Sequence, residues 1–292
     1  MKRGFTFIEM IFVIVVMGIL ASFGAEIFRN VYLNYMLSST NNRLQEDTEN
    51  AIQQIANRLQ YRIKNSVIAS NAAGGFVALP SATNQTVLEW VGYDIDGWLG
   101  DAATSPTWSG FIDVDINAIP NVNVLASPAS DFQAGGRIDT VIQNLSSSSI
   151  ANAAIFFTGA NSNIATQYGW GVVAQNEQST TAAHRIGNAA AVNQIVPGVD
   201  DFSGVDVYEQ YQLSWTAYAL VLSANGDLNL YYDYQPWEGE TYANVAPRLL
   251  MQNVDTFKFQ GVGDMIKLQV CVNDNNILGD GGYSLCKEKA IF

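Results

Sequence analysis

The sequence predicts an α+β protein: a long N-terminal helix, apolar in its first half and amphipathic in its second, packed on a β-rich globular domain. Three observations predict it. Between Phe5 and Ala25 the only charged side chain is Glu9. Leu44, Thr48, Ile52, Ile55, Leu59, Ile63 and Val67 then recur at three- and four-residue spacing, the period of one helix face. Beyond Gly75, short β-type runs alternate with Gly, Asn, Ser and Pro, the punctuation of a strand-rich fold.

Lys2 and Arg3 precede Gly4, and Phe5-Thr6-Phe7-Ile8-Glu9 runs directly into the apolar stretch from Met10 to Leu20. About 20 apolar residues cross about 30 Å of hydrocarbon, so this is a transmembrane candidate. The positive-inside bias keeps Lys2 and Arg3 in the cytoplasm and exports the chain beyond the apolar stretch. Glu9 is the odd residue. A carboxylate at mid-bilayer costs about 2.5–3.5 kcal/mol on the insertion scale, so it needs a partner or a reason. Two simpler readings leave it unexplained: a cleavable secretory signal with Ser22-Phe23-Gly24 before Ala25, and a plain single-span anchor.

Gly4-Phe5-Thr6-Phe7-Ile8-Glu9 followed by the apolar helix resembles the class III leader of type IV prepilins and type II secretion pseudopilins. The resemblance implies a pilin-like fold. It implies that a membrane prepilin peptidase cuts between Gly4 and Phe5 and methylates the new Phe5 terminus. Glu9 becomes the acid at the fifth place of the processed chain. In an assembled filament it lies near the α-amine of a neighbouring subunit, and the pair neutralises two charges that are costly to bury alone. In related pilins the helix loosens beyond the membrane half, usually at a proline. Here Glu26 stands at that place, with Gly18 and Gly24 as the weak points of the run.

The chain has 14 Lys+Arg against 27 Asp+Glu, a formal net charge of −13. Such a surface repels phosphate backbones, so no nucleic-acid partner is expected. A length of 292 residues holds one sizeable exported domain, or two small ones. The expected division is a leader over 1–4, a transmembrane segment over 5–28, an amphipathic helix over 29–68 and an exported β-rich domain over 69–292. The apolar stripe should bury against that domain; an isolated coiled-coil seam between subunits is the alternative.

The helix is expected to run to about Val67, with Ala69 to Gly75 as the loop that ends it. Strands are predicted at Thr86–Tyr93, Phe111–Ile116, Arg137–Gln143, Ala154–Phe157 and Gly169–Ala174. Asp94–Ser109, carrying Trp98 and Trp108, reads as a loop, and Ser146–Ser149 and Gln175–Pro197 as insertion loops. The strongest β signal is late: the run Tyr211–Leu222, then Asn225-Gly226, then Leu228–Tyr234. Asn-Gly between two such runs is a hairpin turn, since both residues tolerate positive φ. Arg248–Val254 reads as a short helical turn, followed by strands at Thr256–Gln260 and Met265–Asn273. Leu249-Leu250, Val254, Phe257, Phe259 and Ile266-Leu268-Val270 after this hairpin resemble the closing part of J-type minor pseudopilins and W-type minor pilins.

Cys271 and Cys286 bracket a short loop near the end of the sequence. In an exported protein such a pair is expected to form a structural disulfide. Asp274, Asn276 and Asp280 inside it raise a calcium loop, as some pseudopilins have. Leu278 occupies a place where the EF-type loop needs an oxygen, and no bidentate Glu follows at the right distance, so a metal-free turn is the better reading. His184, the only histidine, is expected at the surface. No nucleophile elbow, phosphate loop, HExxH or cysteine zinc set appears, so no enzyme and no cofactor is expected.

These features imply a non-catalytic minor pilin or pseudopilin subunit of a type IV pilus or type II secretion pseudopilus. Its partners are the bacterial inner membrane, the prepilin peptidase and other major and minor subunits, with the globular domain in the periplasm and the processed protein in the filament. A domain this large suggests a place near the tip. K-type tip subunits lack the acid corresponding to Glu9, which favours a J-like place beneath the tip. The rival is a pilus-borne adhesin or substrate-binding module that meets an exported substrate or surface ligand through the loops of Trp98, Trp108 and Gln175–Pro197.

Overall fold

The computed structural model describes residues 6–71, 75–82, 84–100, 106–117, 123–274 and 283–292. Helix α1 (Phe7–Leu59) leads into β1 (Ile68–Ser70), β2 (Phe76–Ala78), β3 (Val87–Gly92), α2 (Ile95–Leu99), α3 (Val114–Asn117), β4 (Leu125–Ala126) and α4 (Arg137–Leu145). Then come β5 (Ala154–Phe157), β6 (His184–Gly187), β7 (Gln194–Pro197), β8 (Tyr211–Ser214), β9 (Thr216–Leu222) and β10 (Leu228–Tyr234). The described chain ends in β11 (Arg248–Met251), β12 (Val254–Val262), β13 (Met265–Asp274) and β14 (Tyr283–Ile291). The arrangement is α+β: one long helix followed by a domain of antiparallel sheets.

The strands form three sheets, ordered β11-β10-β9-β3-β1-β2, β12-β13-β14 and β4-β7-β6-β5-β8. The far half of α1 packs against both of the first two sheets. Leu44, Ile52, Ile55 and Leu59 share a core with Leu88 and Trp90 of β3, Leu228 and Leu230 of β10, and Leu268 and Val270 of β13. The polar residues on the other sides of this half, such as Arg43, Glu46, Asn50 and Asn57, are exposed. The amphipathic stripe is therefore covered by the chain's own domain.

The helix stops eight residues before its apolar pattern does. No proline or glycine breaks it. Tyr61–Ile63 is instead captured by the end of β3: Ile63 N–H donates to Val91 C=O at 3.0 Å, and Tyr93 N–H donates to Tyr61 C=O at 2.8 Å. The Leu59 carbonyl accepts from the Arg62 backbone N–H at 3.3 Å and from its guanidinium at 2.9 Å, and the guanidinium also meets the carbonyl of Asp264. Ile63 and Val67 stay buried but reach the core from extended backbone. The expected loop from Ala69 is not one throughout, because Ile68–Ser70 is the buried strand β1.

Other expectations are corrected too. Arg137–Gln143 is the start of α4, whose Ile138 and Ile142 are buried one turn apart, a helical spacing misread as a strand. Phe111–Ile116 holds only a bridge from Phe111 to Gln210 before α3. Gly169–Ala174 is a turn in which Gly169, Gly171 and Val172 all have positive φ, which a strand cannot accept. Arg248–Met251 is a strand rather than a helical turn, paired with β10, and β14 was not anticipated.

The predicted strand Tyr211–Leu222 divides at Trp215. Tyr211–Ser214 pairs with β5 in the five-stranded sheet, whereas Thr216–Leu222 pairs with β3 and β10 in the six-stranded one. Asp94 fixes this junction. Its buried carboxylate accepts from the indole Nε1 of Trp108 at 3.0 Å and of Trp215 at 3.1 Å, and from Gly97 N–H at 3.2 Å. Trp108 is fully buried, so it is part of a core and not of a surface loop.

Candidate functional site

Every residue from Thr6 to Tyr35 is exposed in the isolated chain. Among the described residues α1 is the one helix long and apolar enough to cross a membrane. With 53 residues at 1.5 Å each it is about 80 Å long. Its near half therefore presents Phe7, Phe12, Ile14 and Leu20 to the surroundings, all more than half exposed. Uncovered apolar surface on this scale requires lipid or neighbouring helices.

Glu9 lies in the first turn. Its Oε2 accepts from the Thr6 backbone N–H at 3.0 Å and from the Thr6 hydroxyl at 2.9 Å. Thr6 is the N-cap, with extended backbone at ψ 150°. A carboxylate three residues inside a helix satisfies an N–H that has no partner within the helix, and it lies at the positive end of the helix dipole. So the acid inside the apolar segment has a local partner before it meets any neighbour. Thr6-x-x-Glu9 is the capping-box spacing, a signal that stands in the sequence. Gly4 and Phe5, the expected cleavage and methylation positions, lie outside the described residues.

The far end of α1 is clasped by the last strand. Lys287 pairs with Glu49, and Lys289 Nζ donates to Gln53 Oε1. Cys271 and Cys286 stand opposite each other on β13 and β14 and are joined by a disulfide. Asp274 closes β13, while Asn276 and Asp280 of the calcium reading lie outside the described residues. Among the described residues no group of His, Cys, Asp and Glu could hold a metal ion.

His184 is not at the surface. It lies on β6, buried beside Phe157. Burial pushes its imidazole down to about 4, against a weaker hydrogen-bond effect from Gln178. Its neighbour Arg185 pairs with Glu238 at 2.9 Å, and among the described residues no serine or cysteine nucleophile is bonded to the ring. Gln175–Pro197, read as a loop, contributes β6 and β7 to the five-stranded sheet.

Residues 1–25 match the family model described as the prokaryotic N-terminal methylation motif. A methylation motif at the head of an uncovered apolar helix fits a membrane-anchored pilin-like protein. The motif and the helix together fit a type IV pilin-like protein with a class III leader, a class that is generally structural. The chain matches no curated protein and no solved structure.

Proposed function

We propose that the chain is a non-catalytic minor pilin or pseudopilin subunit. It is cut between Gly4 and Phe5, N-methylated at Phe5 and drawn from the inner membrane into a type IV pilus or type II secretion pseudopilus. The observation that carries this reading is the division of α1: its motif-bearing half is bare, and its other half is built into the domain core. A helix held this way transmits a pull on its membrane half to the whole domain. Extraction exchanges lipid contacts for helix–helix contacts, and Glu9 exchanges Thr6 for the amine of a neighbour.

The retained Glu9 and the large domain support a J-like place near the tip, with the globular part in the periplasm. The adhesin reading loses its aromatic platform, since Trp108 is buried and Trp98 packs on it with ring centroids 4.9 Å apart. Mass spectrometry of the membrane-derived protein tests the proposal. It should begin with N-methyl-phenylalanine at Phe5; a protein that still begins at Met1 overturns it.

A further inference from the structure

The sheet β12-β13-β14 has α1 on one face, and β12 pairs with β13 alone among the described residues. We infer that the open edge of β12 docks an extended, acidic segment of a neighbouring subunit, which adds a strand along residues 255–260. This rests on the proposed role as a filament subunit.

Among the described residues the edge is closed at both ends and open between them. At one end Val254 N–H donates to Gly226 C=O at 2.8 Å. At the other, Leu79 and Pro80 press on Gly261, where an added Cβ would lie 3.2 Å from Leu79 Cγ and 3.4 Å from Pro80 N. In the window between, alternate residues direct N–H and C=O away from β13. A groove of about 810 Å³ runs along this window, and its lining takes in every residue from Asp255 to Gln260. Consecutive residues point to opposite faces of a strand, so the hollow reaches both sides of this edge, and it extends over the sheet to Leu268 and Gln269 of β13 and Glu288, Lys289 and Ala290 of β14. Asn84, Gln85, Thr86 and Leu222 also line it.

Charge selects the occupant. Three lysines, Lys258, Lys267 and Lys289, line the groove against two acids, Asp255 and Glu288. Lys258 faces Gln269 and Lys267 faces Gln260 across the β12–β13 ladder, which makes the two lysines diagonal neighbours on the outer face. Neither has a hydrogen bond or ion pair among the described residues, whereas Lys64, Lys287 and Lys289 each do. Lysine on an edge strand is a common guard against unwanted pairing. That accounts for Lys258 but not for Lys267, which sits on the central strand. In a chain of net charge −13, a groove whose lining carries more lysines than acids, Glu288 lying diagonal to Lys267 on β14, suits a strand with acids on one side, about 7 Å apart at alternate positions.

Two arms test this on the full chain. In cells with its natural partners, a photoreactive side chain at Gln260 should cross-link to an acidic segment of another subunit bearing the methylation motif. The yield should fall about fivefold in Lys258→Glu/Lys267→Glu, while the same label at exposed Val192 is unaffected. With the purified protein in detergent, a labelled alternating Asp-Val peptide should bind about tenfold more tightly than its Lys-Val counterpart, and than a copy with N-methylated backbone. The inference is overturned if the three peptides bind alike or not at all. It is overturned equally if the Gln260 cross-link persists after charge reversal. The N-terminus of the same samples separates the two readings. A methylated Phe5 with no link at Gln260 sinks the docking edge alone; an unprocessed Met1 sinks assembly, and the peptides then decide the edge.

Discussion

Lys287 on β14 reaches Glu49 on α1, tying the last strand to the first helix. Two residues on, Lys289 meets Gln53, four residues along the helix. Two strand residues span about 6.6 Å and four helical residues about 6 Å, so the two spacings match. The Lys287 hydrogen bond, then its charge, holds the Glu49 carboxyl below its ordinary value. A lowered acid contributes stability above its unfolded pKa and loses it as pH falls through the folded one. Lys287→Met should therefore return Glu49 toward its ordinary value in an NMR titration, and added salt should shrink the difference because the pair is exposed. A Glu49 titration unmoved by the substitution would detach the clasp.

The disulfide joins residues 15 apart in sequence. By loop-closure entropy such a bridge stabilises by about 3 kcal/mol. Cys271→Ser/Cys286→Ser should lower the urea midpoint by that equivalent and leave the slope nearly unchanged. Since β14 carries both clasp lysines, the double variant should also become more open to proteolysis near residue 287. Equal stability of the two forms would show that β14 holds without its bridge.

Asp94→Ala should be among the most damaging single changes in the domain. It strands two buried indole N–H groups at the place where the chain passes from one sheet to another. Each unsatisfied buried donor costs about 1–3 kcal/mol, so a loss of about 3 kcal/mol is expected. Burial raises the Asp94 carboxyl, against the hydrogen bonds it accepts. A raised acid favours folding at low pH and loses that advantage as pH rises through its folded value. Asp94→Asn should flatten that part of the pH–stability profile, measured by chemical unfolding between pH 4 and 8.

Much of the helix was legible because its signals are local. An uninterrupted apolar run and a sustained stripe from Leu44 to Leu59 need no tertiary information. The end of α1 was not legible, because Tyr61–Ile63 leaves the helix to pair with β3, a partner thirty residues away. Ala154–Phe157 and the hairpin at Asn225-Gly226 were found from strand and turn chemistry. The split at Trp215 was hidden, since both halves are good strand sequence and only the destination of each differs. His184 was misplaced for a related reason: small residues around it suggest a loop, yet Ala182 and Ala183 are buried in a core with Phe156 and Trp237 and His184 pairs with Ile155 of β5. At the membrane end the acid was singled out, but its first partner, Thr6, was missed although it stands at capping-box spacing.

His184 gives a second pH handle, opposite in sign to Asp94. Its folded value is lowered to about 4 from 6.5. Above the unfolded value both states are neutral. As pH falls from there toward the folded value, the unfolded chain takes up a proton that the folded one refuses, so stability is lost. The limit is about 3 kcal/mol at 1.36 kcal/mol per unit. Wild type and His184→Gln should therefore differ in stability by an amount that shrinks between pH 7.5 and 4.5. Parallel pH profiles would mean that the imidazole is hydrated in the folded protein.

Glu9 and Thr6 together separate capping from assembly. In the free subunit the carboxylate accepts both Thr6 donors; in the proposed filament it faces the methylated amine of a neighbour. Glu9→Gln keeps an acceptor oxygen for the cap but removes the charge. It should leave cleavage at Gly4 intact while incorporation into sheared filaments falls by more than about tenfold, since removing one partner of a buried ion pair costs about 3–5 kcal/mol. Thr6→Val removes the hydroxyl and keeps the N–H and the charge, so it should weaken the cap and reduce incorporation much less. Immunoblots of sheared and membrane fractions, with mass spectrometry of the N-terminus, read both effects at once. If Glu9→Gln were incorporated like wild type, the carboxylate would be a helix cap and nothing more. If Thr6→Val were as defective as Glu9→Gln, the contact that matters would be the one inside the subunit.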